Sequence, residues 1–97
     1  MDNKYFEGAK ILRFEANAGI LVQAKMQLFI RDCCGFKGLT STDFSMMHCS
    51  HDVKERWIQW DIAGDPKQKV DALLNRIKAS LSKYMLSGFF YYEELNL

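Results

Sequence analysis

This sequence has little proline, no paired set of cysteines and no excess of charge of one sign. It has one proline, and its three cysteines include the adjacent pair Cys33 and Cys34. An odd number of cysteines does not suit the disulfide framework of a small secreted protein, which uses cysteines in pairs. We therefore expect a cytoplasmic protein whose thiols stay reduced.

Long apolar runs are also absent. The longest mostly apolar stretch, residues 18–30, is interrupted by Gln23, Lys25 and Gln27, so no membrane-spanning segment is expected. Residues 1–7 contain no apolar stretch of signal-peptide length. Thirteen basic and twelve acidic residues leave a formal charge of +1, which gives no overall field to attract nucleic acid or an anionic membrane.

What the chain does have is a composition suited to a packed core. Nearly half of its 97 residues are hydrophobic, 48%, and 13% are aromatic. This length and composition predict one folded domain over residues 1–97.

Three segments alternate apolar and polar residues with the period of a β-strand. In residues 9–16, Leu12, Phe14 and Ala16 alternate with Arg13 and Glu15, which predicts a strand with one face in water. A second such segment, 43–50, has less distinct faces. The third is 54–63, in which Ile58, Trp60 and Ile62 share one parity while Trp57 and Gln59 take the other.

Residues 22–31 allow two interpretations. Val22, Ala24, Met26, Leu28 and Ile30 share one parity and mostly polar residues take the other, which favours a strand. A helix is the alternative, because Val22, Met26, Phe29, Cys33 and Phe36 fall near the helical period. We expect the strand.

The strongest boundary lies at Gly64-Asp65-Pro66, where Asp65 can cap a helix and Pro66 suits its first turn. Beyond it, apolar residues recur at helical spacing, and Ser87-Gly88 is expected to end the helix. Residues 89–97 predict either a fifth strand or a short helix. The expected fold is therefore α+β, a meander-like antiparallel sheet of four to five strands with one long C-terminal amphipathic helix on one face. The helical stripe consists of Val70, Leu73, Leu74, Ile77, Leu81, Tyr84 and Met85.

Soft metal ligands and nucleophiles occur together only in the middle of the chain. They are Cys33, Cys34, His48, Cys49 and His51, and they lack the spacing of a zinc site. A cysteine nucleophile with a histidine base would make the protein a hydrolase or transferase, but residue identities alone support this. We expect no cofactor, no metal and no enzymatic activity.

The polar parities of the predicted strands define an exposed sheet face. Its expected binding residues are Arg13, Lys25, Gln27, Phe29, Arg31 and Trp57. Exposed aromatic and arginine side chains are typical of protein interfaces, which predicts a small binding or adaptor protein that contacts a protein partner or a second copy of itself. The alternative is single-stranded nucleic acid, whose bases stack on aromatic rings. Both hypotheses assume that residues 22–31 are extended, and no motif identifies a family.

Overall fold

Two helices alternate with four strands in the part of the chain that the computed structural model describes, residues 10–34, 46–63 and 67–94. The predicted α+β class and the antiparallel sheet are confirmed. In chain order the elements are β1 (Lys10–Ala16), α1 (Val22–Cys34), β2 (Met46–Asp52), β3 (Trp57–Ala63), α2 (Lys67–Lys83) and β4 (Gly88–Glu94).

The strands lie in the order β2-β3-β1-β4, so the predicted meander is wrong. β1 lies between β3 and β4 and is antiparallel to both. Each helix follows a central strand and precedes an edge strand, α1 between β1 and β2 and α2 between β3 and β4. This connectivity is the split βαβ arrangement, and among the described residues the sheet has four strands rather than five.

Residues 22–31 form a helix, so the predicted strand is wrong. Met26, Phe29, Ile30 and Cys33 are buried, and their spacing places them on one face of α1. Leu28, which the strand interpretation placed in the core, is exposed. The helical period wins because it buries four apolar side chains on one face.

Both helices pack on the same face of the sheet. β1 contributes Leu12, Phe14 and Ala16 to the core, and the Phe14 and Phe29 rings meet edge to face with centroids 5.7 Å apart. At about 1.5–3 kcal/mol for each large apolar side chain removed from water, this single cluster supplies the main stabilisation of the domain. The remaining strand and α2 residues of the cluster are Ile58, Trp60, Ile62, Val70, Leu73, Ile77 and Leu81.

α2 ends earlier than the sequence predicts. The helix stops at Lys83 and Met85 takes a left-handed conformation with φ 53°. The Leu86 amide donates to the Leu81 carbonyl (2.9 Å) and the Met85 amide donates to the Ser82 carbonyl (3.1 Å). These two bonds form a Schellman motif, a helix end in which glycine usually takes the place of Met85. Met85 therefore points outward instead of completing the predicted apolar stripe.

Gly88 was predicted to end the helix, but its role in the structure is different. It is the first residue of β4 and pairs with Ala16. A Cβ at this position would collide with the carbonyl oxygen of Glu15 and lie 2.8 Å from the Ala16 Cα. β4 can therefore approach the end of β1 only because residue 88 has no side chain. The predicted cap Asp65, Pro66 and residues 95–97 lie outside the described residues.

Candidate functional site

The side of the sheet opposite the helices is the candidate site, and we call it the open face. Side chains alternate between the two faces of a strand, so the odd-numbered residues of β1, β3 and β4 lie here. At one end of β3, Asp61 and Ala63 are buried, whereas Trp57 at the other end is partly accessible. The accessible residues that β1, β3 and β4 place on this face are Ile11, Arg13, Glu15, Trp57, Gln59, Phe89, Tyr91 and Glu93.

The β2–β3 turn positions Trp57 at this end of the face. Arg56, the residue before it, has a positive φ of 59°. Its side-chain Nε donates to the Ala16 carbonyl (3.2 Å), while the Ala16 amide donates to the Arg56 carbonyl (2.8 Å). These two hydrogen bonds attach the turn to the end of β1 and so fix the backbone position of Trp57, the first residue of β3.

Arg13 lies against the ring of Trp57 on the open face. The guanidinium carbon of Arg13 is 4.2 Å from the centre of the Trp57 ring, the geometry of a cation–π contact. The same guanidinium donates to Glu15 Oε1 (3.0 Å) and to Gln59 Oε1 (3.2 Å). Arg13 is thus occupied by three neighbours and holds one side of the tryptophan ring in place.

The hydrogen bonds continue across the sheet in both directions. Gln59 donates through its amide nitrogen to Asp61 Oδ1 (2.9 Å) on β3. On β4, the Tyr91 hydroxyl donates to Glu15 Oε2 (3.4 Å). Side chains of β3, β1 and β4 are therefore linked into one network, which fixes the polar groups between the aromatic rings.

Strand β4 adds aromatic rings on both of its faces. Phe89 and Tyr91 lie on the open face, 61% and 52% exposed, and Phe90 and Tyr92 lie on the helix face, 36% and 52% exposed. Phe90 contacts Phe14 with ring centroids 5.2 Å apart. The helices therefore cover β4 only in part.

The charge of the open face is mainly acidic. Among the described residues of this face, Arg13 is the single lysine or arginine, and Glu15, Asp52 and Glu93 are the accessible carboxylates, because Asp61 is buried. A phosphate backbone approaching this surface would meet more negative than positive charge.

Two of the six predicted binding residues, Arg13 and Trp57, are brought together by the structure. Phe29 was wrongly predicted to be exposed: it is fully buried in the core. Lys25, Gln27 and Arg31 were wrongly placed on the sheet, because they lie on α1, which packs against the other face. Phe89 and Tyr91 were missed, although the run of four aromatic residues at 89–92 was a signal for them.

The cysteines and histidines do not converge in the described part of the chain. Cys33 is buried in the core, and Cys49 packs beside the core on the helix face. His48 and His51 are exposed on opposite faces of β2. No group of three or more potential metal ligands occurs among the described residues.

One ionisable cluster connects the two helices. The Tyr84 hydroxyl donates to Asp32 Oδ2 (2.6 Å), and the Lys83 ammonium lies 3.4 Å from the same oxygen. The hydrogen bond from Tyr84, with the Lys83 charge adding to it, lowers the pKa of Asp32. Hydrogen bonding to Tyr84 and Asp32 raises the pKa of Lys83, and the bond to Asp32 raises the pKa of Tyr84. The cluster ties α1 to the end of α2 and is therefore structural.

A small apolar patch lies at the loops that follow β1 and α2. Ile20, Leu21 and Met85 are exposed there, and Leu21 shares the left-handed conformation of Met85, with φ 64°. A shallow groove lined by Ile20, Lys25 and Met85 runs between the two loops. Leu21 and Met85 both have backbone strain, and because both side chains are mostly exposed, little free energy from burial offsets it.

Neither described helix combines the length and the hydropathy required to cross a bilayer.

Comparison with known proteins gives information on the fold alone. No family model matches the chain, and no curated protein matches it. A solved structure described as "De novo designed protein Ferredog-Diesel" matches with a TM-score of 0.57 and 16% identity, covering 96% of this chain and 92% of that one. At this identity the similarity supports the split βαβ, or ferredoxin-like, arrangement of the strands and helices.

Proposed function

We propose that this protein is a small non-enzymatic binding module, an adaptor, that contacts a protein partner through the open face of its sheet. The observation that carries the proposal is the set of accessible rings, Trp57, Phe89 and Tyr91, arranged around the network of Arg13. Aromatic residues and arginine are enriched at protein interfaces, and a fixed ring loses little conformational entropy on binding.

The polar network supports this proposal over an unspecific apolar patch. Arg13, Glu15 and Gln59 are held by one another, so a partner would meet preorganised donors and acceptors between the rings. Preorganisation lowers the entropic cost of association. The sequence-based hypothesis required residues 22–31 to be extended, and that requirement fails because they form α1. The present proposal rests instead on the rings of β3 and β4.

Single-stranded nucleic acid is the second candidate, and Trp57 on a central strand is the observation in its favour. Bases stack on such rings. The acidic side chains of the same face argue against it, since Arg13 is already paired with Glu15. We therefore rank a protein partner first.

The burial of Cys33 removes one thiol as a candidate nucleophile. Cys33 is enclosed in the core, and a buried thiol in apolar surroundings is a poor nucleophile. A reducing, cytoplasmic location fits these thiols and remains part of the proposal. A cysteine-dependent hydrolase has no comparable support, because the two histidines lie on exposed positions of an edge strand.

The test is a pull-down from native extract with three forms of the chain. Wild type should retain a specific protein and Trp57→Ala should lose it. Gln27→Ala, a control at an exposed position of α1, should retain it. Far-UV circular dichroism should show that Trp57→Ala folds, because its ring lies outside the core.

The same variants separate the two candidate functions. Titration with a fluorescent oligothymidylate at low salt should show no binding. Salt-dependent binding that Trp57→Ala abolishes would support the nucleic-acid alternative, and retention of the same proteins by wild type and Trp57→Ala would refute the open face as the contact surface.

A further inference from the structure

The two edges of the sheet differ in character. β2 and β4 are both seven residues long, and no described strand lies beyond either of them. The outer strand β2 carries polar residues, including His48, Ser50 and His51. By contrast, β4 reads G-F-F-Y-Y-E-E and has neither lysine nor proline.

An edge strand of this kind is unusual in a monomer. Exposed edges offer backbone N–H and C=O groups to other chains, and monomeric proteins protect them with charged residues, proline or bulges. In β4 the two glutamates stand at one end, and the central four residues are aromatic. The aromatic segment of the strand therefore lacks the features that prevent pairing with another edge, and the two glutamates protect only its far end.

The exposure of β4 on both faces indicates what would cover it. Phe89 and Tyr91 lie on one face, and Phe90 and Tyr92 lie on the other, each at least one-third exposed. A partner lying on the open face alone would leave the rings of the helix face in water. A second sheet edge, with its own helices on one side, would shield rings on both faces.

We propose that β4 pairs antiparallel with β4 of a second copy of this chain, so that two four-stranded sheets join into one. The proposal rests on the proposed function, because Phe89 and Tyr91 belong to both surfaces, and it names the second copy as one partner of the module. A two-fold axis perpendicular to the sheet keeps all helices on the same side. Such an isologous contact is the commonest way in which soluble proteins form dimers.

The sequence of β4 is compatible with pairing to itself. Side chains opposite each other across the two-fold axis share a face, so the axis passes through a residue and not between two residues. The two registers that centre the aromatic run place the axis at Phe90 or at Tyr91. With the axis at Tyr91, Phe90 faces Tyr92 and Glu93 faces Phe89. With the axis at Phe90, Phe89 faces Tyr91. Both registers bring rings opposite each other, Phe90 with Tyr92 in the first and Phe89 with Tyr91 in the second, which is a favourable cross-strand pairing. The first register also places Glu93 opposite Phe89, and in both the glutamates of the two copies stay apart.

The exposed ring area places such a contact at the small end of the range of interfaces. At about 200 Å² for each aromatic side chain, the exposed fractions of the four rings correspond to roughly 400 Å² in each copy. Full burial of these rings in both copies would remove about 800 Å², to which the strand backbones add, against a lower limit of about 1,200 Å² for specific interfaces.

The first experiment is sedimentation velocity over a range of protein concentrations. Wild type should sediment as a dimer at high concentration, whereas Tyr91→Lys should be monomeric because it places two ammonium groups close to the two-fold axis. Ser50→Lys, the matched change on the other edge strand, should remain dimeric. Thermal melts of all three forms confirm that each is folded.

Cysteine cross-linking gives a second measurement that also identifies the register. Opposite Cα atoms of antiparallel strands lie about 4.5–5.5 Å apart, within the span of a disulfide. Tyr91→Cys alone should form covalent dimers if the axis passes through Tyr91. A mixture of Phe89→Cys and Tyr91→Cys should do so if the axis passes through Phe90, and Ser50→Cys should not in either case.

Three results would overturn the proposal. The first is a wild-type protein that is monomeric at all concentrations. The second is a dimer that Ser50→Lys dissociates and Tyr91→Lys does not. The third is disulfide cross-linking through a cysteine at position 50 and not through cysteines at positions 89 or 91. Each outcome leaves the proposed function to its own test, because loss of a different partner with Trp57→Ala is measured independently of the oligomeric state.

Discussion

Replacing Met85 by glycine should make the protein more stable. Met85 has φ 53° at the end of α2, and a left-handed conformation costs an L-amino acid about 1–2 kcal/mol. Its side chain is 79% exposed, so truncation sacrifices only about 0.3–0.6 kcal/mol of the 1.5–3 kcal/mol that full burial would give.

Glycine also makes the unfolded chain more flexible, at a cost of about 0.4–1 kcal/mol. These effects leave Met85→Gly more stable than wild type by about 0.5 kcal/mol. Met85→Ala is the matched control, because it removes the same side chain and keeps the left-handed strain. Met85→Gly should exceed Met85→Ala by about 1 kcal/mol.

Urea unfolding monitored by tryptophan fluorescence measures these differences, since Trp60 is completely buried. With an m value of about 1–1.5 kcal/mol/M, the midpoints of Met85→Gly and Met85→Ala should differ by about 0.7–1 M. Equal midpoints, or a lower midpoint for the glycine variant, would show that the left-handed residue at this helix end carries no strain.

Three further changes test other parts of the fold. Trp60→Ala should lower the free energy of unfolding by about 3–5 kcal/mol, and a urea midpoint close to that of wild type would show that the ring does not fill the core. Gly88→Ala should weaken the pairing of β4 with β1, seen as faster hydrogen exchange than in wild type at the Phe89 and Tyr91 amides, which point towards β1, and unchanged exchange would contradict the close approach to Glu15. Asp32→Asn should lower the melting temperature near neutral pH. The pKa of Asp32 is lowered, so the stability that its carboxylate contributes is complete above its ordinary pKa and is lost as pH falls through the folded-state pKa. The pKa values of Lys83 and Tyr84 are raised, so the stability that these two groups contribute is lost as pH rises through their folded-state pKa values. The difference in melting temperature from wild type should therefore shrink at both extremes of pH, and a difference independent of pH would refute this account.

The elements that the sequence predicts correctly have one dominant period. Alternation in β1 and β3 places Leu12, Phe14, Ile58 and Trp60 in the core and Arg13 with Trp57 on the other side. The residues of α2 likewise follow the helical period until the chain turns at Met85. In each case the pattern fixes the buried face because a single face is apolar.

Residues 22–31 were wrongly predicted because they satisfy both periods. The strand parity holds from Val22 to Ile30 but leaves Phe29 among polar residues, and this exception was the sign that the helix was correct. Alanine, lysine, methionine, glutamine and leucine, which fill most of the segment, are also strong helix formers. The error moved Lys25, Gln27 and Arg31 to the candidate binding face.

Strand order was beyond the reach of the pattern. Alternation identifies the core face of a strand when one face is apolar, but both faces of β4 are aromatic, so its parity does not show which face meets the core. That β4 lies next to β1 depends on Gly88 fitting against Glu15, a contact between residues far apart in the sequence. Phe89 and Tyr91 therefore joined the site only when the sheet order was known.

The pairing of the first described strand with the last has a consequence for folding during synthesis. Lys10 is opposite Glu94, so β1 waits for its second neighbour until nearly all of the described chain has left the ribosome. Until then Phe14 lacks the ring of Phe90, and one side of β1 presents unsatisfied backbone groups. Contacts between residues so far apart in the sequence slow folding. A nascent chain stalled after α2 would leave one edge of β1 unpaired, and that edge could pair with strands of neighbouring chains on the polysome.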